Sequence, residues 1–138
     1  MAFATRTLVD TGSSTDGSGK IVIMCDFNNH DGAGVILDGS EVSAFAANAN
    51  VSIRRVRWGL VSGDISEDGS GSVSITFEVP SGTDISAIRL AGSGYYDGPG
   101  ISGSHAGTGV TSADVNAVAV HATGFAMIEF SKTSGWTG

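Results

Sequence analysis

The sequence predicts an all-β fold, an antiparallel β-sandwich of about eight short strands with a jelly-roll-like arrangement. Apolar and polar residues alternate with period two in several stretches, as in strands with one buried face. Clusters of Gly, Ser, Asn and Asp separate these stretches, and the 21 glycines among 138 residues supply the positive φ angles that turns need. The length fits one domain over residues 1–138.

Alternation defines the predicted strands in chain order. In 20–28, Ile21 and Ile23 share one side while Val22 and Met24 share the other, so this strand is expected to be covered on both faces. The eight predicted strands are 5–10, 20–28, 33–37, 51–61, 72–79, 85–91, 115–121 and 125–132.

Two stretches do not fit the alternating pattern. Residues 41–50 have the best helical spacing, but they are short and are equally consistent with a covering turn or an edge strand. Residues 92–111 form the longest irregular stretch, which predicts a functional loop or a loop packed against a partner.

Composition excludes several classes of protein. Seven basic against 14 acidic residues give a net charge of −7, which disfavours a nucleic-acid partner. The single cysteine, Cys25, excludes an internal disulfide framework and zinc sites built on several cysteines. The sequence lacks an apolar run long enough for a membrane-spanning helix, and residues 1–6 lack the pattern of a signal peptide. Synthesis in a cytoplasm, without membrane attachment, is therefore expected.

The run Leu8-Val9-Asp10-Thr11-Gly12 is similar to the active-site motif of aspartic peptidases, in which two aspartates share a proton. One such motif in a chain of this length would require a homodimer. The polar residues that follow and the absence of a bracing apolar-apolar-Gly element favour the other interpretation, in which Asp10 is an ordinary turn residue.

Neither a metal site nor a catalytic centre is predicted. The acidic stretches at 26–31 and 64–68 lack calcium-loop spacing, so their Asp and Asn residues are interpreted as turn formers. His30, His105 and His121 show no metal-binding spacing, and the serines lack a nucleophile-elbow motif. Cys25 is expected to face the core, and no cofactor is predicted.

The most unusual strand, 51–61, carries Arg54, Arg55, Arg57 and Trp58, so that each of its faces mixes charged and apolar residues. A bulge near Arg54 and Arg55 would switch the register and explain the mixture. An interface is the second explanation, because Arg and Trp are enriched at protein–protein contacts. A third is that the Arg stems simply lie over apolar surface.

The stretch 92–101 contains Tyr95, Tyr96 and Asp97 among glycines. Two adjacent aromatic rings and a carboxylate are typical of a sugar-binding loop, which makes a carbohydrate-binding β-sandwich, for example on a phage tail or fibre, an alternative function. The competing interpretation is a loop fixed in place by one buried tyrosine.

The order of these features resembles the small β-sandwich head decoration and minor structural proteins of tailed bacteriophages. The likeness is carried by the Leu8-Val9-Asp10 strand, the Arg-rich strand, the alternating 73–79 strand and the closing strand that ends at Lys132. The sequence 133–138 departs from this pattern by adding a tail with Trp136.

The resemblance implies a non-enzymatic virion protein that decorates or cements a capsid by binding other copies of itself and the major capsid protein or another virion protein. Repetition over the shell would give high total affinity from modest contacts. The terminal segments 1–4 and 133–138 are expected to dock on neighbouring subunits. The residues expected at interfaces are Phe3, Arg54, Arg55, Arg57, Trp58, Tyr95, Tyr96, Ile101 and Trp136.

Overall fold

The computed structural model describes residues 2–12, 19–38, 50–62, 71–78, 85–102 and 114–134. These residues form an all-β, antiparallel structure. No helix in these ranges is both long and apolar enough to span a membrane. The strands are β1 (Ala2–Thr11), β2 (Lys20–Leu37), β3 (Asn50–Ser62), β4 (Ser72–Phe77), β5 (Ile85–Leu90), β6 (Ser93–Ser102) and β7 (Val115–Ser134).

All seven strands belong to one sheet that is organised around the long strands β2 and β7. The main path runs β1-β2-β7-β3-β6, and β4 joins β7 while β5 joins β4. The second half of β7 pairs with β3, whereas its first half pairs with β4. Because β2 pairs with β7 along both halves, the two long strands connect a five-stranded half-sheet to a smaller one that contains β4 and β5.

Irregular backbone lies where the two half-sheets meet. Asn29 and His121 have φ near 46°, and the β2–β7 register shifts between Phe27 and Gly32. Gly124, with φ of 136°, lies so close to β3 that a Cβ there would collide with the carbonyl oxygen of Gly59. Only glycine fits such a position, because both the dihedral angle and the space exclude a side chain.

One hydrophobic core is shared by both half-sheets. Alternate residues of each strand point into it, as expected for sheets with one buried face. Its fully buried larger side chains are Ile21, Ile23, Val51, Ile53, Val56, Val73, Ile75, Phe77, Leu90, Ile128 and Phe130.

The all-β, antiparallel class predicted from the sequence is confirmed, but the strand count and layout differ. The predicted strands 20–28 and 33–37 are one strand, β2, and 115–121 and 125–132 are one strand, β7. Residues 28–32, taken as a turn, are instead an irregular part of β2 where the register shifts and where Asn29 and Gly32 have positive φ. The sandwich and jelly-roll arrangement is not confirmed, because the described strands hydrogen-bond into a single sheet.

The predicted loop at 92–111 was wrong in its first half. Residues Ser93–Ser102 form β6, which pairs with β3. This strand could not be recognised in the sequence, since its glycines interrupt the alternation of apolar and polar residues that indicates a buried face. The remainder of that stretch, and residues 41–49 of the possible helix, lie outside the described residues.

Candidate functional site

The predicted bulge lies at Arg54 on β3. The register of β3 with both neighbours shifts between Ile53 and Arg55. Ile53 and Val56 are therefore both buried, while Arg54 and Arg55 between them are both exposed. In the sequence, strict alternation would place charged and apolar residues on both faces of this strand. The bulge switches the register, so that the apolar residues on either side of it face the core and the arginines face outward.

Beyond the bulge, residues from five strands align in two rows on the outer face of the larger half-sheet. Because directly opposed residues in antiparallel strands are neighbours on the same face, each row is a line of adjacent side chains. The first row is Val9, Val22, Glu129, Arg55 and Asp97. The second row is Arg6, Met24, Met127, Arg57 and Tyr95.

A cleft of about 250 Å³ lies over these rows at the β7–β3–β6 end of the face. Its surface combines apolar side chains with two guanidinium groups, two carboxylates and two phenol rings. The residues that line it are Val22, Arg55, Val56, Arg57, Tyr95, Tyr96, Asp97, Met127 and Glu129.

The two arginines of the cleft differ in their partners. The Arg55 Nη1 donates to Glu129 Oε2 at 2.8 Å, and its Nε lies 3.3 Å from Asp97 Oδ1. Lys20 Nζ approaches the other oxygen of Glu129 at 3.9 Å. Within the described ranges Arg57 makes no ion pair, although it is exposed beside these groups. The positive charge of Arg57 is thus available to a ligand.

Tyr95 is the most exposed of the large hydrophobic residues that the structure describes, with a relative solvent exposure of 74%. It lies opposite Arg57 across the β3–β6 pair. A free ring beside a free guanidinium can hold a ligand that has a flat apolar part and a negative charge.

Four of the residues expected at interfaces are partly buried and pack against the protein's own core. They are Phe3, Trp58, Tyr96 and Ile101. Trp58 Nε1 donates to the carbonyl oxygen of Ala91 at 3.0 Å, and the ring of Phe3 lies 5.2 Å from that of Phe27. Arg54, Arg55, Arg57 and Tyr95 remain on the outer face, and Trp136 lies outside the described residues.

Asp10 is not a turn residue. It lies in β1, and its Oδ1 accepts a hydrogen bond of 2.9 Å from Nζ of Lys132, whose side chain is 0% exposed. The same ammonium group donates to the carbonyl oxygen of Gly12 at 3.0 Å. The carboxylate of Asp10 is thus engaged by a buried ammonium group, which favours a structural role for Asp10 over the aspartic peptidase interpretation.

The acidic stretch at 26–31 lies within β2 rather than in a turn. Nε2 of His121 is 3.9 Å from Asp31 Oδ2. Among the residues that the structure describes, no group of three or more His, Cys, Asp or Glu side chains could hold a metal ion. His105 and the stretch 64–68 lie outside those residues.

The sequence pattern did not identify Val22, Met127 and Glu129 of the cleft, nor Arg6 and Lys132. Alternation in the closing strand did place Met127 and Glu129 opposite the core-facing Ile128 and Phe130. The missing information was strand register, which decides the neighbours across a sheet and leaves no mark at the single residues involved.

Comparison with known proteins gives little similarity. No protein-family model matches the chain, and no curated protein matches it. One solved structure, described as the structure of KdgF from Halomonas sp., is similar with a TM-score of 0.37 and 11% identity over 94% of this chain and 80% of that chain. A likeness at this level supports no inference about the function of this chain.

The prediction of a virion structural protein was wrong. None of the comparisons with family models, curated proteins and solved structures points to a head decoration protein. The arginine strand, on which that prediction depended most, also has a local explanation. A bulge exposes Arg54, and the guanidinium of Arg55 is neutralised within the chain by Asp97 and Glu129.

Proposed function

We propose that this protein is a binding module whose outer-face cleft holds a small ligand with a negatively charged group next to a flat apolar part. The observation that carries this proposal is the pair of Arg57 and Tyr95, directly opposed on β3 and β6. Met127, opposite Arg57 on the other side, supplies the apolar floor.

The charge of the cleft favours an anion. Arg55 and Lys20 together match the two carboxylates of Asp97 and Glu129, so Arg57 is the uncompensated charge. Guanidinium groups bind carboxylates through two parallel hydrogen bonds, which gives orientation as well as attraction. A neutral sugar would rely on Asp97 and Tyr96, but Asp97 is paired with Arg55 and the Tyr96 hydroxyl donates to the carbonyl oxygen of Pro99.

The cleft is better suited to binding than to catalysis. Its lining residues in the described part of the chain include no His, Ser, Thr, Cys or Lys. Both of its carboxylates are within ion-pair distance of Arg55, so neither is an unpaired group facing the cleft.

Three matched probes test the proposal by isothermal titration calorimetry. Phenylacetate carries a ring and a carboxylate, phenylacetamide keeps the ring without the charge, and acetate keeps the charge without the ring. We expect phenylacetate to bind at least about tenfold more tightly than either of the others, because each lacks one contact worth roughly 1.4 kcal/mol or more.

Substitutions in the cleft test whether phenylacetate binds there. We expect Arg57→Gln and Tyr95→Ala each to weaken phenylacetate binding about tenfold. Arg89→Gln is the matched control, because Arg89 is exposed on β5 of the other half-sheet. Unchanged binding in Arg57→Gln, or tighter binding of glucose than of phenylacetate, would contradict the proposal.

A further inference from the structure

Positive charge on the outer face extends well beyond the cleft. Five of the seven Lys and Arg residues of this acidic protein lie on this face: Arg6, Lys20, Arg54, Arg55 and Arg57. The other two are Arg89 on the smaller half-sheet and the buried Lys132. Such an asymmetry directs acidic partners to one side of a molecule that otherwise repels them.

An apolar strip connects the cleft to the far edge of the face. Met127 and Met24 lie between Arg57 and Arg6 in one cross-strand row, and Val22 and Val9 lie beside them in the next row. Methionine side chains adapt to varied apolar partners. The strip from Arg57 to Arg6 crosses three strand spacings, or about 14 Å.

We propose that the natural occupant is an acidic segment of a polypeptide, with acidic side chains towards both ends and apolar side chains between them, that lies across the strands from Tyr95 to Arg6. This inference rests on the proposed function, because the Arg57–Tyr95 cleft becomes one subsite of a longer groove. About five or six extended residues, at roughly 3.3 Å each, reach across the four strand spacings from Tyr95 to Arg6.

Two features favour a polypeptide over other polyanions. Asp26, Asp97 and Glu129 are interspersed with the cations on the same face, and they would repel the dense phosphates of a nucleic acid. The two methionines and two valines present aliphatic surface, whereas sugar rings are held mainly by exposed aromatic rings, of which Tyr95 is the only strongly exposed one in the described ranges.

The test measures the binding of acetyl-Glu-Glu-Leu-Leu-Glu-Glu-amide by fluorescence anisotropy of a labelled form. A peptide with Gln in place of Glu is the control for charge. We expect Arg6→Gln to weaken binding of the acidic peptide about fivefold, as loss of one exposed ion pair does, and to leave phenylacetate binding unchanged. Arg89→Gln should change neither, and raising the salt concentration should weaken binding of the acidic peptide but not of its Gln counterpart.

The outcomes separate the two proposals. In one outcome, phenylacetate binding depends on Arg57, but the acidic peptide binds no more tightly than its Gln counterpart or is unaffected by Arg6→Gln. That outcome supports the proposed cleft and shows that the polypeptide groove is wrong. If a DNA oligonucleotide or hyaluronan binds more tightly than the acidic peptide, the polypeptide assignment is also wrong. If neither phenylacetate nor the peptide binds, both proposals are wrong.

Discussion

Lys132 illustrates how a single residue can depend on the far end of the chain. Its side chain is completely buried, and Asp10, 122 positions away in sequence, supplies a carboxylate at 2.9 Å. Gly19 makes room for it, because a Cβ at Gly19 would lie 2.6 Å from Cβ of Lys132. Burial of a charge is tolerated only when a partner and further hydrogen bonds are in place.

Asp10→Asn tests this arrangement. We expect it to lower the free energy of unfolding by about 3 kcal/mol, because it leaves an ammonium group buried without its counter-ion. Chemical denaturation measures the change, and Asp26→Asn, at an exposed position of β2, is the matched control. The double variant Asp10→Asn with Lys132→Met should lose less than the sum of the single changes; additive losses would mean that the two side chains do not interact.

Cys25 gives a second prediction at the residue scale. Burial, and then the nearby charge of Asp26, raise the pKa of its thiol from 9.0 to about 12. The thiol is therefore protonated at neutral pH and should react with a maleimide only when the chain unfolds. Labelling at pH 8 should be slow in native protein and complete in denaturant; rapid labelling of native protein would show that Cys25 is accessible.

The same shift predicts a dependence of stability on alkaline pH. The unfolded thiol ionises near pH 9 and the folded thiol only near pH 12, so ionisation favours the unfolded chain within that window. The contribution of Cys25 to stability is complete below pH 9 and falls by up to about 1.4 kcal/mol per pH unit above it. Denaturation at pH 8 and pH 10.5 should show a larger loss in the wild type than in Cys25→Ala, and equal losses would contradict this.

At the scale of elements, the irregular region between the half-sheets depends on particular glycines. Gly32 and Gly124 both have positive φ, at 115° and 136°. They differ in their surroundings, since a Cβ at Gly32 would meet nothing within 4 Å, whereas one at Gly124 would collide with Gly59. Substitutions at the two positions therefore distinguish the cost of backbone strain alone from that of strain combined with a steric collision.

We expect Gly32→Ala to cost roughly 1–2 kcal/mol of unfolding free energy, from backbone strain alone. Gly124→Ala should cost clearly more, because strain and a backbone collision add. Thermal and chemical denaturation of both variants provide the comparison. Equal losses would indicate that β3 moves away freely and that Gly124 does not hold the two strands close.

At the scale of the whole molecule, β2 and β7 pass through both half-sheets, and their buried residues belong to one core. Neither half-sheet should therefore unfold alone. We expect Ile75→Val in β4 to lower stability by about 1 kcal/mol. Tryptophan fluorescence, which includes Trp58 in the other half-sheet, should shift its midpoint together with far-ultraviolet circular dichroism; separate midpoints would show independent unfolding.

The sequence by itself determined the fold class and most of the strands. Alternation such as that of Val73, Ile75 and Phe77 requires a strand with one buried face, because side chains of a strand point to opposite sides in turn. The bulge at Arg54 could also be predicted, since a strand with charged residues on both faces needs a change of register. Strand β6 could not, because its glycines break the alternation.

Only the tertiary structure decided which residues are neighbours. Arg55 meets Glu129, and Lys132 meets Asp10, across 74 and 122 residues of sequence. Strand order and register place them together, and these depend on the combined burial of many side chains rather than on the pattern of any one strand. The cleft exists for the same reason: its residues come from β2, β3, β6 and β7, and only strand order and register bring them together.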